Sequence, residues 1–190
     1  MTAQKSFTIA ALTIAMALPA CGGAGWQPET PEGGREQTAY ARSVEAVGEF
    51  EQRDPTLKQF FEQAHAYAIY PSVGKGGAVL GGAYGRGQVY RNGQLIGATS
   101  VTQVTAGFQL GGQAYSEVIF FKDEAALAEF VDGDYELGAQ ASAVAVTAGA
   151  AANASYDEGV AIFTCPNGGL MYEASVAGQS FSFDPIGSDS

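Results

Sequence analysis

From Ala78 to Tyr90 bulk and smallness alternate. The even positions include Ala78, Leu80, Tyr84, Arg86, Gln88 and Tyr90; the odd ones hold Val79, Gly81, Ala83, Gly85, Gly87 and Val89. Side chains point alternately to the two faces of a strand. The pattern therefore predicts a strand with one bulky face and one nearly bare face, open to close approach by a helix or a second sheet. Arg91-Asn92-Gly93-Gln94 is a two-residue hairpin signal, because Asn and Gly tolerate the positive φ that such turns require. Leu95 to Val104 is expected to return antiparallel, followed by strands over Gly107–Gln113 and Tyr115–Phe121. Val118-Ile119-Phe120-Phe121 is apolar on both faces, as in a central strand. Before this block, Ala66–Tyr70 reads as a short strand ended by Pro71. After it, the small-residue run Ala139–Ala150 reads as a closely packed strand, with further strands over Gly159–Cys165, Gly169–Val176 and Gln179–Phe183.

Helical spacing appears in three places. Tyr40, Val44, Val47 and Phe50 recur along one stretch. Asp54-Pro55 then supplies an N-cap and a first-turn proline, followed by Leu57, Phe60, Phe61 and Ala64 on one face. Asp123 caps a helix through Val131, with Leu127, Phe130 and Val131 inward. Strands outnumber helices and most links are short. The expected fold is α+β: a strongly curved antiparallel sheet or partial β-barrel, with two or three helices packed against one side of it.

Composition changes this picture little, and charge narrows it. The 190 residues are 46% hydrophobic and carry 9 Lys+Arg against 20 Asp+Glu, a formal charge of −11. Such a chain repels nucleic acid, so no nucleic-acid partner is expected. Residues 1–20 stand apart from the fold. Lys5 gives a positive start, and Phe7–Leu18 forms an apolar run of signal-peptide length, short of a membrane span. Leu18-Pro19-Ala20-Cys21 resembles the lipobox of bacterial lipoproteins, in which the cysteine is lipidated; Gly22 after it favours the outer membrane. The expected plan is a signal peptide over 1–20, a lipid-anchor cysteine at Cys21 with a flexible linker over 21–36, one domain over 37–184, and a tail over 185–190. The protein is then an exported lipoprotein facing the periplasm or, if Cys21 is not lipidated, soluble there. Cys165 lies in an apolar run and reads as a buried, inert thiol.

Tests for chemistry mostly fail. Gly74-Lys75-Gly76 lacks the hydroxyl residue and the upstream glycine of a phosphate loop, and no G-x-G-x-x-G fits. Asp132, Asp134 and Glu136 begin like a calcium loop, but Leu137 stands where glycine is required. His65 is the single histidine, which leaves no metal cluster and no Ser-His-Asp set. Neither an enzyme, nor catalytic residues, nor a metal, nor a cofactor is expected. Lys75, Arg86 and Arg91, beside Tyr84 and Tyr90, remain as candidate phosphate-binding residues.

Several stretches together resemble the SYLF lipid-binding domain: Ala68-Ile69-Tyr70-Pro71-Ser72-Val73-Gly74-Lys75-Gly76-Gly77, Gly81-Gly82-Ala83-Tyr84-Gly85-Arg86-Gly87-Gln88-Val89-Tyr90, Gly107-Phe108-Gln109-Leu110-Gly111-Gly112-Gln113 and Gly168-Gly169-Leu170-Met171. The small-residue run Ala139–Ala148 fits too, and the likeness spans roughly 52–183. Eukaryotic members of that family bind phosphoinositide membranes and, in some cases, actin filaments. The resemblance implies a phospholipid membrane as partner and phospholipid binding as the function. The alternative expectation is an envelope interaction protein that takes a partner strand at its sheet edge, touching lipid only through Cys21.

Overall fold

The structure is a computed structural model. It describes residues 34–187 apart from 78–79, 107–111, 133–134, 139–141, 168–175 and 177. The expectations for 1–33, including Cys21, for 107–111 and for most of Gly169–Val176 lie outside the described residues. The chain opens with helix α1 (Gly34–Arg53), a 3-10 turn (Pro55–Leu57) and the short α2 (Lys58–Gln63). Asp54 caps the turn as expected, its carboxylate accepting from Thr56 N. Seven strands follow: β1 (Ala66–Gly77), β2 (Leu80–Arg91), β3 (Gln94–Ala106), β4 (Gly112–Phe121), β5 (Val144–Ala145), β6 (Val160–Pro166) and β7 (Gln179–Pro185). Helix α3 (Glu124–Val131) lies between β4 and β5, with Asp123 Oδ1 accepting from Ala126 N.

The strands form one sheet in the order β5-β6-β4-β1-β2-β3-β7. Every neighbouring pair is antiparallel except β5 with β6. The β2–β3 turn uses Asn92 at φ 51 and Gly93 at φ 80, as the sequence implies. β4 is flanked by β6 and β1, and its Val118 to Phe121 are wholly buried.

The sheet curls strongly but stays open. Gln179 of β7 donates to Glu117 of β4 at 3.0 Å, although three strands separate them in the sheet. In a flat sheet four strand spacings would hold these residues about 19 Å apart. The bare face of β2 makes the curl possible. A Cβ on Gly85 would meet Val73 Cγ2 at 2.8 Å and Val101 Cγ1 at 3.2 Å; one on Gly87 would meet Tyr70 Cδ1 at 2.6 Å. Side chains of β1 and β3 fold over the glycines of the strand between them, so the concave face closes on itself.

Four expectations are corrected. Pro71 does not end β1. Between Ile69↔Gln88 and Ser72↔Arg86, β1 advances three residues while β2 retreats two, and the same extra residue appears against β4. That bulge takes Pro71, which has no N–H to give, out of the ladder. Among the described residues of the run Ala139–Ala150, only Val144 and Ala145 join the sheet; Thr147–Ala150 closes a turn with Gly149 at φ 80, and Ala151–Asn153 is a 3-10 turn. Helices lie on both sides of the sheet. α1 and α2 cover the convex face, through Ala46, Val47 and Phe50 packed with Tyr67, Tyr90 and Phe120. α3 packs on the concave face, with Phe130 packed at a tilt against Phe121 and Phe181. Val44, expected on the buried stripe of α1, is exposed; Ser43 and Ala46 take its place beside Val47 and Phe50.

One edge of the sheet is occupied. Phe181 N donates to Tyr135 O, Leu137 N to Gln179 O, and Gly178 N to Leu137 O. Residues 135–137 thus sit on the outer edge of β7, where an added partner strand would have to pair.

Candidate functional site

The strand register sorts the three candidate cations. Arg86 pairs across with Ser72 on the face covered by α1, whereas Lys75 opposite Ala83 and Arg91 opposite Ala66 share the other face. Lys75 and Arg91 are separated by eight residues of β2, roughly 26 Å. Arg91 is also engaged: its Nη1 lies 3.6 Å from Glu124 Oε1, while His65 Nε2 lies 2.8 Å from Glu124 Oε2. The expected phosphate site of Lys75, Arg86 and Arg91 therefore does not assemble. Only Arg86 of the three lies in a basic groove.

That groove runs between α1 and the bulge of β1. Its first part, about 380 Å³, is lined by Arg35, Thr38, Arg42, Ser72, Arg86 and Gln88 among others. Its second part, about 460 Å³, shares Arg42, Pro71 and Ser72 and adds Glu45, Glu49 and Arg53. Four of the five arginines in the chain thus line one furrow of a protein with net charge −11. The second part carries carboxylates of its own. The first is lined by Arg35, Arg42 and Arg86 and by no carboxylate of its own, while Arg42 also borders the part that holds Glu45 and Glu49; among the described side chains none of the three forms an ion pair.

Local chemistry fixes these groups. Gln88 Oε1 accepts from Ser43 Oγ and from Tyr90 Oη, both at 2.8 Å, and so clamps α1 to β2 beneath the furrow. The carbonyl of Pro71, freed by the bulge, accepts from Ser116 Oγ at 2.8 Å and Asn167 Nδ2 at 3.3 Å. Arg86 Nε donates to Tyr84 Oη at 2.9 Å, and that bond raises the guanidinium pKa above its ordinary value. Guanidinium groups lining one furrow without ion-pair partners are suited to a phosphate, which accepts parallel N–H bonds from such groups. Beyond the furrow on the same face, Tyr84 is 50% exposed and Val104, opposite Gly82, is 81% exposed. Diagonal positions on adjacent strands lie within side-chain reach, so an aromatic and an aliphatic group flank the cationic mouth.

The sequence reading missed Arg35 and Arg42. Their signal was present: seven residues apart, they share a helix face. Their approach to Arg86 depends on how α1 crosses the sheet, which no local pattern encodes. Cys165 is buried and free, its thiol pKa raised by burial, as expected of an inert residue. Among the described residues, no group of His, Cys, Asp and Glu could hold a metal ion.

Comparison with known proteins gives a consistent family. Residues 102–185 match the family model Ysc84, described as Las17-binding protein actin regulator. Over 132 residues the chain is 30% identical to beta cell expansion factor A of Aeromonas veronii. The alignment takes in 68% of this chain and 50% of that protein, so the chain spans about half the length of the curated relative it matches.

Proposed function

Because the chain belongs to the SYLF family, a family of binding domains, we propose that it is a phospholipid-binding lipoprotein of the bacterial envelope. The observation that carries the lipid reading is the first part of the furrow, which Arg35, Arg42 and Arg86 line together and no carboxylate lines. The guanidinium groups take the phosphate of a head group, and Tyr84 and Val104 meet the boundary between head groups and acyl chains, where an amphipathic ring is at home. The envelope reading rests on the export signal and on Leu18-Pro19-Ala20-Cys21. Cys21 would hold the domain at the outer membrane and leave the arginine face free to bind the bilayer.

The global charge and the furrow oppose each other at an anionic surface. At about 0.1 M salt the screening length is about 10 Å, so the distant carboxylates are screened while the arginines in contact are not. Each cation at an anionic membrane contributes about 1 kcal/mol. The unlipidated Cys21→Ser chain is therefore expected to pellet with anionic vesicles at that salt. The triple variant Arg35→Gln, Arg42→Gln, Arg86→Gln should bind about a hundredfold more weakly. Lys75→Gln, on the opposite face, should leave binding unchanged. If the parent chain does not pellet, or the triple variant pellets equally well, phospholipid binding through this furrow is wrong.

A further inference from the structure

Glu117 lies midway along β4 with no solvent-accessible surface, on the concave face. Gln179, the first residue of β7, reaches it across the curl. Gln179 Nε2 uses both its hydrogens, donating to Glu117 Oε2 at 3.0 Å and to Tyr115 Oη at 3.1 Å. The other oxygen of each partner, Glu117 Oε1 and Gln179 Oε1, is buried without a hydrogen-bond partner. Two orphaned acceptors on residues already joined by one bond are costly in a dry interior. One proton removes both. A neutral Glu117 carries an O–H that donates to the Gln179 carbonyl, while the Gln179 amide donates back to the other acid oxygen. The result is a two-bond acid–amide ring.

We propose that Glu117 is a neutral acid in the folded protein and that the Glu117–Gln179 ring is a proton-dependent latch, pinning edge strand β7 against β4 and loosening when Glu117 ionises. The surroundings favour the neutral form. Among the described residues, Tyr115 of the same strand and Tyr70 of β1 are the titratable groups that interact with it; the Tyr70 hydroxyl is bonded to Thr99 Oγ1 of β3, and burial raises both phenols so that they stay uncharged. β3 brings neutral Gln103 opposite Gln179, and α3 brings Leu127 and Phe130. Tyr135 and the exposed Glu136 lie along the outer edge of β7. Among the described residues no cation faces the carboxyl. Burial pushes its pKa up to about 7, partly offset by the Gln179 donor.

The sign follows from an unfolded-state value near 4.5. A group whose neutral form is favoured by folding loses its advantage as pH rises, between the unfolded and folded values. The latch is closed under acid conditions and weakens above about pH 7. When it goes, β7 keeps its ladder with β3 and its edge contacts with 135–137, but no longer its tie across the concave face.

The test uses the full chain. Infrared spectra at pH 6 of wild type minus Glu117→Gln are expected to show a protonated-carboxyl stretch that disappears near pH 7. Amide exchange in β7, corrected for intrinsic chemistry, is expected to speed up at least tenfold from pH 6 to pH 8.5. Glu117→Gln, whose amide can donate to Gln179 Oε1, should lose that dependence. An ionised Glu117 at pH 6 overturns the latch, as does a β7 exchange profile identical in both proteins. If Glu117→Gln does not fold, infrared titration of wild type with 13C-labelled glutamate decides alone: titration of every carboxyl below pH 5.5 rejects the proposal.

Discussion

Replacing Asp54 with alanine is expected to lower stability by about 3–5 kcal/mol, with a fall in Tm of about 10 °C. Asp54 is fully buried where α1 meets the 3-10 turn. Its Oδ1 accepts from Thr56 N at 3.0 Å, Thr56 Oγ1 at 2.6 Å and Gly149 N at 3.1 Å, and its Oδ2 accepts from Ala151 N at 2.7 Å. Loss of the cap costs about 1 kcal/mol. The larger cost falls on the Gly149 and Ala151 amides, since a buried donor left without a partner costs about 1–3 kcal/mol. Asp54→Asn keeps Oδ1 but turns an amide nitrogen toward Ala151 N, so a loss of about 2 kcal/mol is expected. Burial by itself raises the Asp54 pKa, but the four hydrogen bonds outweigh it and hold the carboxyl below its ordinary 3.8. A lowered folded-state pKa gives stability that is present above the unfolded value and lost as pH falls through the folded one. Acid unfolding below about pH 4 should therefore be less steep in Asp54→Asn than in wild type. Urea titrations at pH 7 and pH 3 measure both effects. A loss under 1 kcal/mol for Asp54→Ala would mean that the turn over 147–151 is held by other contacts.

Asp54 also marks where local pattern stops being informative. The cap could be read from Asp54-Pro55, as could the cap at Asp123 and the turn at Asn92-Gly93, because each depends on residues adjacent in the chain. The second task of Asp54, holding a turn almost a hundred residues away, could not. The run Ala139–Ala150 has no alternation, and small residues suit a turn as well as a tight strand; only the hydrogen bonds to Asp54 decide. Pro71 misled for a related reason. Proline ends a strand when its missing N–H would face a partner, and whether a bulge removes that conflict depends on strands far along the chain.

The site shows the same division. Arg86 and Arg91 are five residues apart in one strand, an odd spacing that sends them to opposite faces, so their separation was legible from the period of two. Arg35 and Arg42 share a helix face by the same kind of counting. Their convergence with Arg86 follows from the clamp of Ser43 on Gln88, a contact between residues 45 positions apart. Charge counting over the helices also concealed the furrow, because Glu45 and Glu49 dominate the C-terminal part of α1 while its N-terminal arginines face the sheet.

Gly87→Ala is expected to cost at least 3 kcal/mol or to prevent folding. The added methyl would collide with the Ile69 carbonyl oxygen and approach Tyr70 Cδ1 at 2.6 Å and Cε1 at 2.9 Å. Neither neighbour can yield. The carbonyl belongs to the backbone of β1, and the Tyr70 ring is fully buried, bonded through its hydroxyl to Thr99 and packed on Phe181. Gly76 is the matched control in the neighbouring strand: a Cβ there meets nothing within 4 Å. Gly76→Ala should change stability by less than about 0.5 kcal/mol. The contrast separates two reasons for a glycine-rich sheet. If glycine served only to keep the strands flexible, both substitutions would act alike. If it serves to let β1 and β3 close over β2, only Gly87→Ala should fail, and the tie between β4 and β7 should fail with it. Equal denaturation midpoints for the two variants would sink the close-packing account of the curl.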